Sequence, residues 1–290
     1  MSIVVRHINE KAGTFKTRFL SFIENETEID VVPFNEWKKV PPKQELTIIV
    51  KNLIIPRKTF ITHVLHSTRY TALVNPFFKL NKQDTQEIIG GLGISIPRMG
   101  HDVTIPPWVI KPLRGECGFN IRLSFNNPAP GEYKQEFLGV PESLGTSFDV
   151  RVYTFLGRFI GSTIRMAYPY NIKNENGILF GVSNTHKEGS LAHFEPGIKH
   201  RCSSEMFPYF EKIRSWLGMR GPSEDMKKAA TEISEIFELG YCGIDFIFDK
   251  DKKFYVIDVN PNAMQGNRWT QDLIRLKRIP KIIKEVEESI

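Results

Sequence analysis

The chain has 290 residues, of which 41% are apolar and 25% charged, and it carries a formal net charge of +6. That is an ordinary globular balance, sufficient for two or three modest subdomains, and it excludes a disordered or low-complexity chain. The longest apolar runs, such as Leu46 to Val50, are far too short to span a bilayer, and no basic N-terminal region leads into an apolar core, so we expect a cytoplasmic protein without membrane contact.

Along the first 75 residues, short apolar runs alternate with amphipathic stretches. Ile3 to Arg6, Ile29 to Pro33, Leu46 to Ile55 and Ala72 to Asn75 read as strands, and Thr14 to Ile23 and Lys58 to His66 read as helices. The alternation predicts a small α/β domain with a parallel sheet over residues 1–75.

A second unit is expected over residues 76–140. It opens with a helix from Lys82 to Leu92, and Gly93 to Pro97 leads out of that helix into an extended segment. Pro106 and Pro107 set up a strand from Trp108 to Pro112. A glycine-punctuated turn, Arg114 to Asn120, separates it from an extended Ile121 to Phe125, and Tyr133 to Leu138 is a further strand.

The remainder, residues 141–290, begins with the hairpin Phe148 to Phe155, turn Leu156 to Arg158, return Phe159 to Ala167. Residues 168–203 read as loop-rich. Pro222 and Ser223 start a helix in which Met226, Ala229, Ala230, Ile233, Ile236 and Phe237 follow helical spacing. It delivers the chain into a second hairpin, Ile244 to Phe248 and Phe254 to Val259, about the charged turn Asp249 to Lys253. After Met264 a helix from about Thr270 is interrupted by Pro280.

The second hairpin carries the densest chemistry. Asp245 is expected across from Asp258, and Asn260, two residues further on, points to the same face. Two carboxylates inside apolar strands cost desolvation unless something cationic meets them. Hard oxygen donors of this kind suit Mg²⁺ completed by nucleotide phosphates. A single Asp in a hairpin more often caps a strand or pairs with a nearby lysine. The three cysteines, Cys117, Cys202 and Cys242, are scattered without ligand spacing, so neither disulfides nor structural zinc are expected. Basic residues are spread along the chain, which fits an acidic small ligand and not nucleic acid. Asn184, His186 and Lys187 lie in a polar segment between Gly181 and Gly189 that reads as a lid or substrate loop, although a lone loop histidine is usually just solvated.

Taken in order, Lys82, Lys111 of Val-Ile-Lys-Pro, Gly115 and Gly118, Gln135-Glu136-Phe137-Leu138, Asp149-Val-Arg151, Arg165, Ser183-Asn184-Thr-His186, Asp245 and Asp258-Val-Asn260 resemble the ATP-grasp superfamily over residues 75–265. Within it the chain most resembles carboxylate–amine ligases of the ribosomal-protein glutamate ligase type. That resemblance implies an α/β (α+β) ATP-grasp fold behind an N-terminal α/β domain, with a glycine-rich loop in a central subdomain and a metal site in the C-terminal one. It implies ATP bound by Lys82, Lys111, Gly115, Gly118, Gln135, Glu136, Phe137, Leu138, Asp149 and Asn184, with adenine read at the Gln135–Leu138 hinge and ribose at Asp149. Arg165 and Arg151 are its implied catalytic residues, and Asp245, Asp258 and Asn260 its ligands for Mg²⁺ or Mn²⁺. The implied substrates are small-molecule or peptide carboxylates and amines, and a homo-oligomer stays open. One departure stands out: the family's usual second metal carboxylate is a glutamate, whereas Asp258 is one methylene shorter. Inositol-phosphate kinases of the same superfamily carry an acidic residue of this kind, so a small-molecule kinase remains an alternative, as does an ATP-binding module without catalysis.

Overall fold

The computed structural model describes residues 2–6, 30–33, 46–50, 71–74, 80–114, 120–139, 141–168, 173–175, 178–180, 189–194, 203–237, 239, 241–260, 281, 282 and 285. At the N-terminus, β1 (Ser2–Arg6) pairs in parallel with β2 (Asp30–Pro33) and with β3 (Leu46–Val50), and β3 pairs in parallel with β4 (Thr71–Val74). The order is β2-β1-β3-β4. This is the parallel sheet expected from the β-branched runs; the helices expected at Thr14–Ile23 and Lys58–His66 lie outside the described residues.

Helix α1 (Lys82–Gly91) starts where Asn81 accepts a hydrogen bond from the Asp84 amide, a side-chain cap that satisfies an otherwise orphaned N–H. It leads to a three-stranded antiparallel sheet in which β5 (Trp108–Pro112) lies between β6 (Arg122–Ser124) and β7 (Glu132–Glu136). The glycine turn between β5 and β6, with Gly115 and Gly118, lies outside the described residues.

The C-terminal part is built on a five-stranded antiparallel sheet. Its central strand β8 (Phe148–Phe155) is buried along its whole length, flanked by β9 (Arg158–Ala167) and β13 (Tyr241–Phe248). Beyond those lie β12 (Gly189–His193) on the β9 side and β14 (Phe254–Asn260) on the β13 side. The β8–β9 turn places both Leu156 and Gly157 at positive φ, which matches the right-handed twist of the strands; a Cβ on Gly157 would meet the Glu235 carboxylate at 3.2 Å.

Two helices cover one face of this sheet: α2 (Phe207–Leu217) and α3 (Glu224–Ile236), the latter capped by Ser223 on the Met226 amide. Phe148, Val150, Val152, Ile164, Met166, Ile244 and Phe246 alternate toward them and join Phe210, Ile213, Met226, Ala230 and Ile233 in the main core. The opposite face receives the intervening residues, and there the polar site forms.

Two features add to the sequence reading. Residues 168–203, read as loop-rich, contain β12 and the small antiparallel pair β10 (Lys173–Glu175) and β11 (Ile178–Phe180). Lys173-Asn-Glu has little intrinsic strand preference, and β12 takes its order from pairing along β9, so context overrides propensity. Helix α2 was also not anticipated, although Pro208 in its first turn and the apolar Phe210, Ile213 and Leu217 on one face are ordinary helix signals. The helix expected from Thr270 lies outside the described residues except at Lys281, Ile282 and Glu285.

Candidate functional site

Cross-strand register gathers the charged residues into one row. On the face away from α2 and α3, Asp149 of β8 pairs directly with Arg165 of β9, Arg151 of β8 with Asp245 of β13, and Asp245 with Asp258 of β14. Opposed side chains on one face stand close, so this row forces two carboxylates side by side and two arginines beside them.

A β-bulge makes the last pairing possible. Asp245 faces Asp258 while Phe246 faces Val256, so Ile257 is an extra residue on β14. Strict alternation would put Val256 and Asp258 on the same face. The bulge instead turns Val256 into the core beside Phe246 and leaves Asp258 with Asp245 on the polar face.

The arginines are tied down by buried charge. Arg151 grips Asp245 with two bonds, Nε to Oδ1 at 2.5 Å and Nη2 to Oδ2 at 2.8 Å. Arg165 bridges, donating from Nε to Asp149 at 2.6 Å and from Nη2 to Asp245 at 2.7 Å. All four side chains are largely shielded from solvent. Burial alone pushes the Asp245 carboxyl up, but the Arg151 and Arg165 guanidiniums beside it reverse this and hold it well below the usual carboxylate range.

At the neighbouring edge, Lys82 at the first turn of α1 contacts Asp258 at 2.7 Å, a pair that is only partly covered. Lys111 on β5 is buried and donates to the carbonyl of the bulged Ile257 at 3.3 Å. Burial lowers its pKa to about 8, with Asp258 opposing and Lys82 adding to the drop; Asp245 and Asp149 also lie within its electrostatic reach. Four cations and three carboxylates therefore share one site.

Helix α1 locks these parts together. The Lys82 amide donates to Leu113 O just beyond β5, and Gln86 joins the Gln135 side chain of β7 to the Val256 carbonyl of β14. The Ser95 carbonyl, in the extended segment after α1, accepts from the Val256 amide.

The remaining sequence-chosen residues fall as follows. Gln135 is buried in the bridge just described. The Glu136 amide donates to Arg98 O and its carboxylate pairs with Arg98 at 2.6 Å, so this N–H of the anticipated hinge is already spent. Phe137 and Leu138 follow the strand, and Phe137 meets Phe180 of β11 edge to face with centroids 6.1 Å apart. Asn260 lies opposite Gly243 on the site face, two residues beyond Asp258. Gly115, Gly118, Asn184 and His186 lie outside the described residues, which contain no cluster of three acidic, histidine or cysteine ligands. Sequence reading missed Gln86, Tyr133 and Phe180. Gln86 could have been found one helical turn from Lys82, on the same face.

Against known proteins, residues 221–287 match the RimK-like ATP-grasp domain, a span that holds α3, β13 and β14 with Asp245, Asp258 and Asn260. The ATP-grasp ligase PsnB, complexed with a minimal precursor, Mg and ADP, superposes with a TM-score of 0.53 at 14% identity, covering 94% of this chain and 91% of that one. A second PsnB structure, with a phosphomimetic precursor variant, Mg and ADP, gives 0.52 at 15% identity over 90% of both chains. The fold is that of the ATP-grasp superfamily. An uncharacterized Mycoplasma genitalium protein, MG012, is 42% identical over 41 residues, a match spanning only 14% of either chain. Lys111 of the three-stranded sheet and Lys82 of α1 meet Asp258 of the five-stranded sheet, beside the arginine row. Among the described residues no helix is long and apolar enough to cross a membrane.

Proposed function

We propose that the chain is an ATP-dependent carboxylate–amine ligase that forms an amide through an acyl phosphate. The observation that carries this reading is the buried pair Arg151 and Arg165, oriented by Asp149 and Asp245 beside Lys111 and the Lys82–Asp258 pair. A carboxylate oxygen of the acid attacks the γ-phosphorus and ADP leaves; the amine then attacks the acyl carbon, inorganic phosphate leaves, and an amide remains. Both steps spread negative charge over oxygens. Fixed, permanently charged forks stabilise such oxygens without having to reorient as the charge develops. A guanidinium has five N–H donors, and Arg151 spends two on Asp245, leaving others for a carboxylate or phosphoryl oxygen. Lys82 and Lys111 hold the phosphates from the opposite wall. Phe137 and Phe180 supply an apolar slot for adenine, read by the backbone at Phe137 and Leu138, with Asp149 toward the ribose.

The donor set fits Mg²⁺ in part. Asp258, held by the partly exposed Lys82 and by the Val259 amide, and Asn260 lie on one partly exposed face, whereas both Asp245 oxygens are engaged by buried arginines, so Asp258 and Asn260 are the residues that would hold the ion and Asp245 is its neighbour. When bound, Mg²⁺ neutralises the phosphates and orients them. Because PsnB was solved with a precursor, peptide carboxylates and amines belong in the substrate panel beside small molecules.

The test is incubation with ATP, Mg²⁺ and a panel of acids and amines, measuring ADP, inorganic phosphate and product mass. The expected result is ADP and phosphate in equal amounts and a product lighter by one water than its two parts. ADP without free phosphate, together with a phosphorylated product, replaces the ligase by a kinase. Absence of both nucleotide binding and ADP release overturns the reading.

A further inference from the structure

Tyr133 lies on β7 directly opposite Lys111 of β5, so the two side chains share a face. That face looks onto β14: Lys111 reaches the Ile257 carbonyl, and Gln135, two residues along from Tyr133, reaches the Val256 carbonyl through Gln86. Tyr133 is 3% exposed, and its hydroxyl has no hydrogen-bond partner among the described residues. Asp258 lies within its electrostatic reach.

A buried phenol normally finds a partner, and phenylalanine would fill the same volume without the cost of an unmade bond. The hydroxyl therefore awaits an acceptor that the described residues do not supply. Its neighbour is in the same condition: the Lys111 ammonium has three protons and one long bond, at 3.3 Å. Two under-used donors, side by side on one wall and facing the Lys82–Asp258 pair, call for a ligand rich in acceptor oxygens. A phosphate group meets that description with several oxygens at once.

We propose that the Tyr133 hydroxyl is a second donor, beside Lys111, to a phosphate oxygen of the bound nucleotide. This rests on the ATP-dependent reading above and adds to it a residue absent from the motif set that suggested that reading. The Tyr133→Phe substitution removes the hydroxyl and leaves the ring, so the core is retained. Calorimetric titration of the full chain with the non-hydrolysable analogue AMPPNP and Mg²⁺, and separately with adenosine, tests it. The expected result is AMPPNP binding weakened by about 10- to 100-fold, the range for a lost bond to a charged acceptor, with adenosine binding unchanged and the thermal midpoint of the ligand-free chain equal or higher. Equal AMPPNP affinity in wild type and variant overturns the Tyr133 assignment alone. A parallel loss for adenosine and AMPPNP also overturns it, because it marks a general packing effect. Wild-type protein that binds neither probe overturns the nucleotide reading itself.

Discussion

Asp245 is the residue on which the arginine row depends most directly. Replacing it with Asn keeps shape and volume but removes the charge that meets Arg151 twice and Arg165 once. Asp149 would then be the one carboxylate left among the four side chains of this row. Removing one partner of a buried ion pair costs about 3–5 kcal/mol, a large share of the roughly 5–15 kcal/mol that holds a typical domain together. With a urea m-value near ~3 kcal/mol/M, the unfolding midpoint should fall by ~1–2 M. Trp216 packs against Phe148 on the other face of the same sheet, so tryptophan fluorescence and far-UV circular dichroism together follow the transition.

The same pair makes a thermodynamic cycle. Arg151→Met alone and Asp245→Leu alone each strand a buried charge, whereas the double substitution strands less and should be more stable than either single variant. The pH dependence has a definite sign. Because the folded Asp245 carboxyl is held below its unfolded value, its contribution is present above about pH 4 and is lost as the pH falls through the folded pKa. The acid limb of the stability curve should therefore be flatter in Asp245→Asn. A midpoint for that variant within about 0.3 M of wild type, under ~1 kcal/mol at the same m-value, would refute the structural role assigned to the row.

Further outcomes follow from single sites. Asp258→Asn should abolish ADP release while shifting stability by less than about 1 kcal/mol, because its pair with Lys82 is partly solvated; ADP assays and urea titration read the two effects separately. Lys111, with its pKa lowered to about 8, is charged below that pH, so AMPPNP affinity should fall as pH rises through it, and Lys111→Met should remove that inflection in a binding titration. Burial pushes the Cys242 thiol up to about 12, so iodoacetamide at about pH 8.5, where a free thiol is half ionised, should leave it unmodified until the chain is unfolded, as peptide mass mapping will show. Gln86→Leu cuts the bridge from Gln135 to the Val256 carbonyl and strands a buried amide, which should cost ~1–3 kcal/mol by urea titration.

Much of this arrangement can be read from the chain because strand pairing is local. The β13–β14 hairpin needs only a short charged turn, so counting from the Phe248–Phe254 pair brings Asp245 to within one residue of Asp258, and the bulge supplies the last step. The β8–β9 hairpin is legible for the same reason. The bulge at Ile257 is not: nothing in Phe254–Asn260 marks which residue is extra, and the register is chosen by burying Val256 with Phe246. Helical spacing from Lys82 points to Gln86, but its bridging partners, like the contact of Phe137 with Phe180, depend on residues far apart in sequence that periodicity does not name. The arginine partners are hidden for a related reason. Asp245 pairs with Arg151, 94 residues away in sequence, so no local pattern announces the pair.

Asp245 and Asp258 stand in different surroundings on the same face. A carboxylate neutralised by two guanidiniums is an anchor, and the forks it fixes are better oriented for oxyanions than free arginines on a surface, which lose side-chain entropy whenever they bind. Asp258, one strand over, is different: it is partly exposed and paired with a flexible lysine, and an arriving ion or phosphate can exchange for that partner at little cost. The bulge separates the two surroundings. It keeps both carboxylates on one face while letting the core close beneath them, so one acid sits in a buried arginine pair and the other in a partly exposed lysine pair.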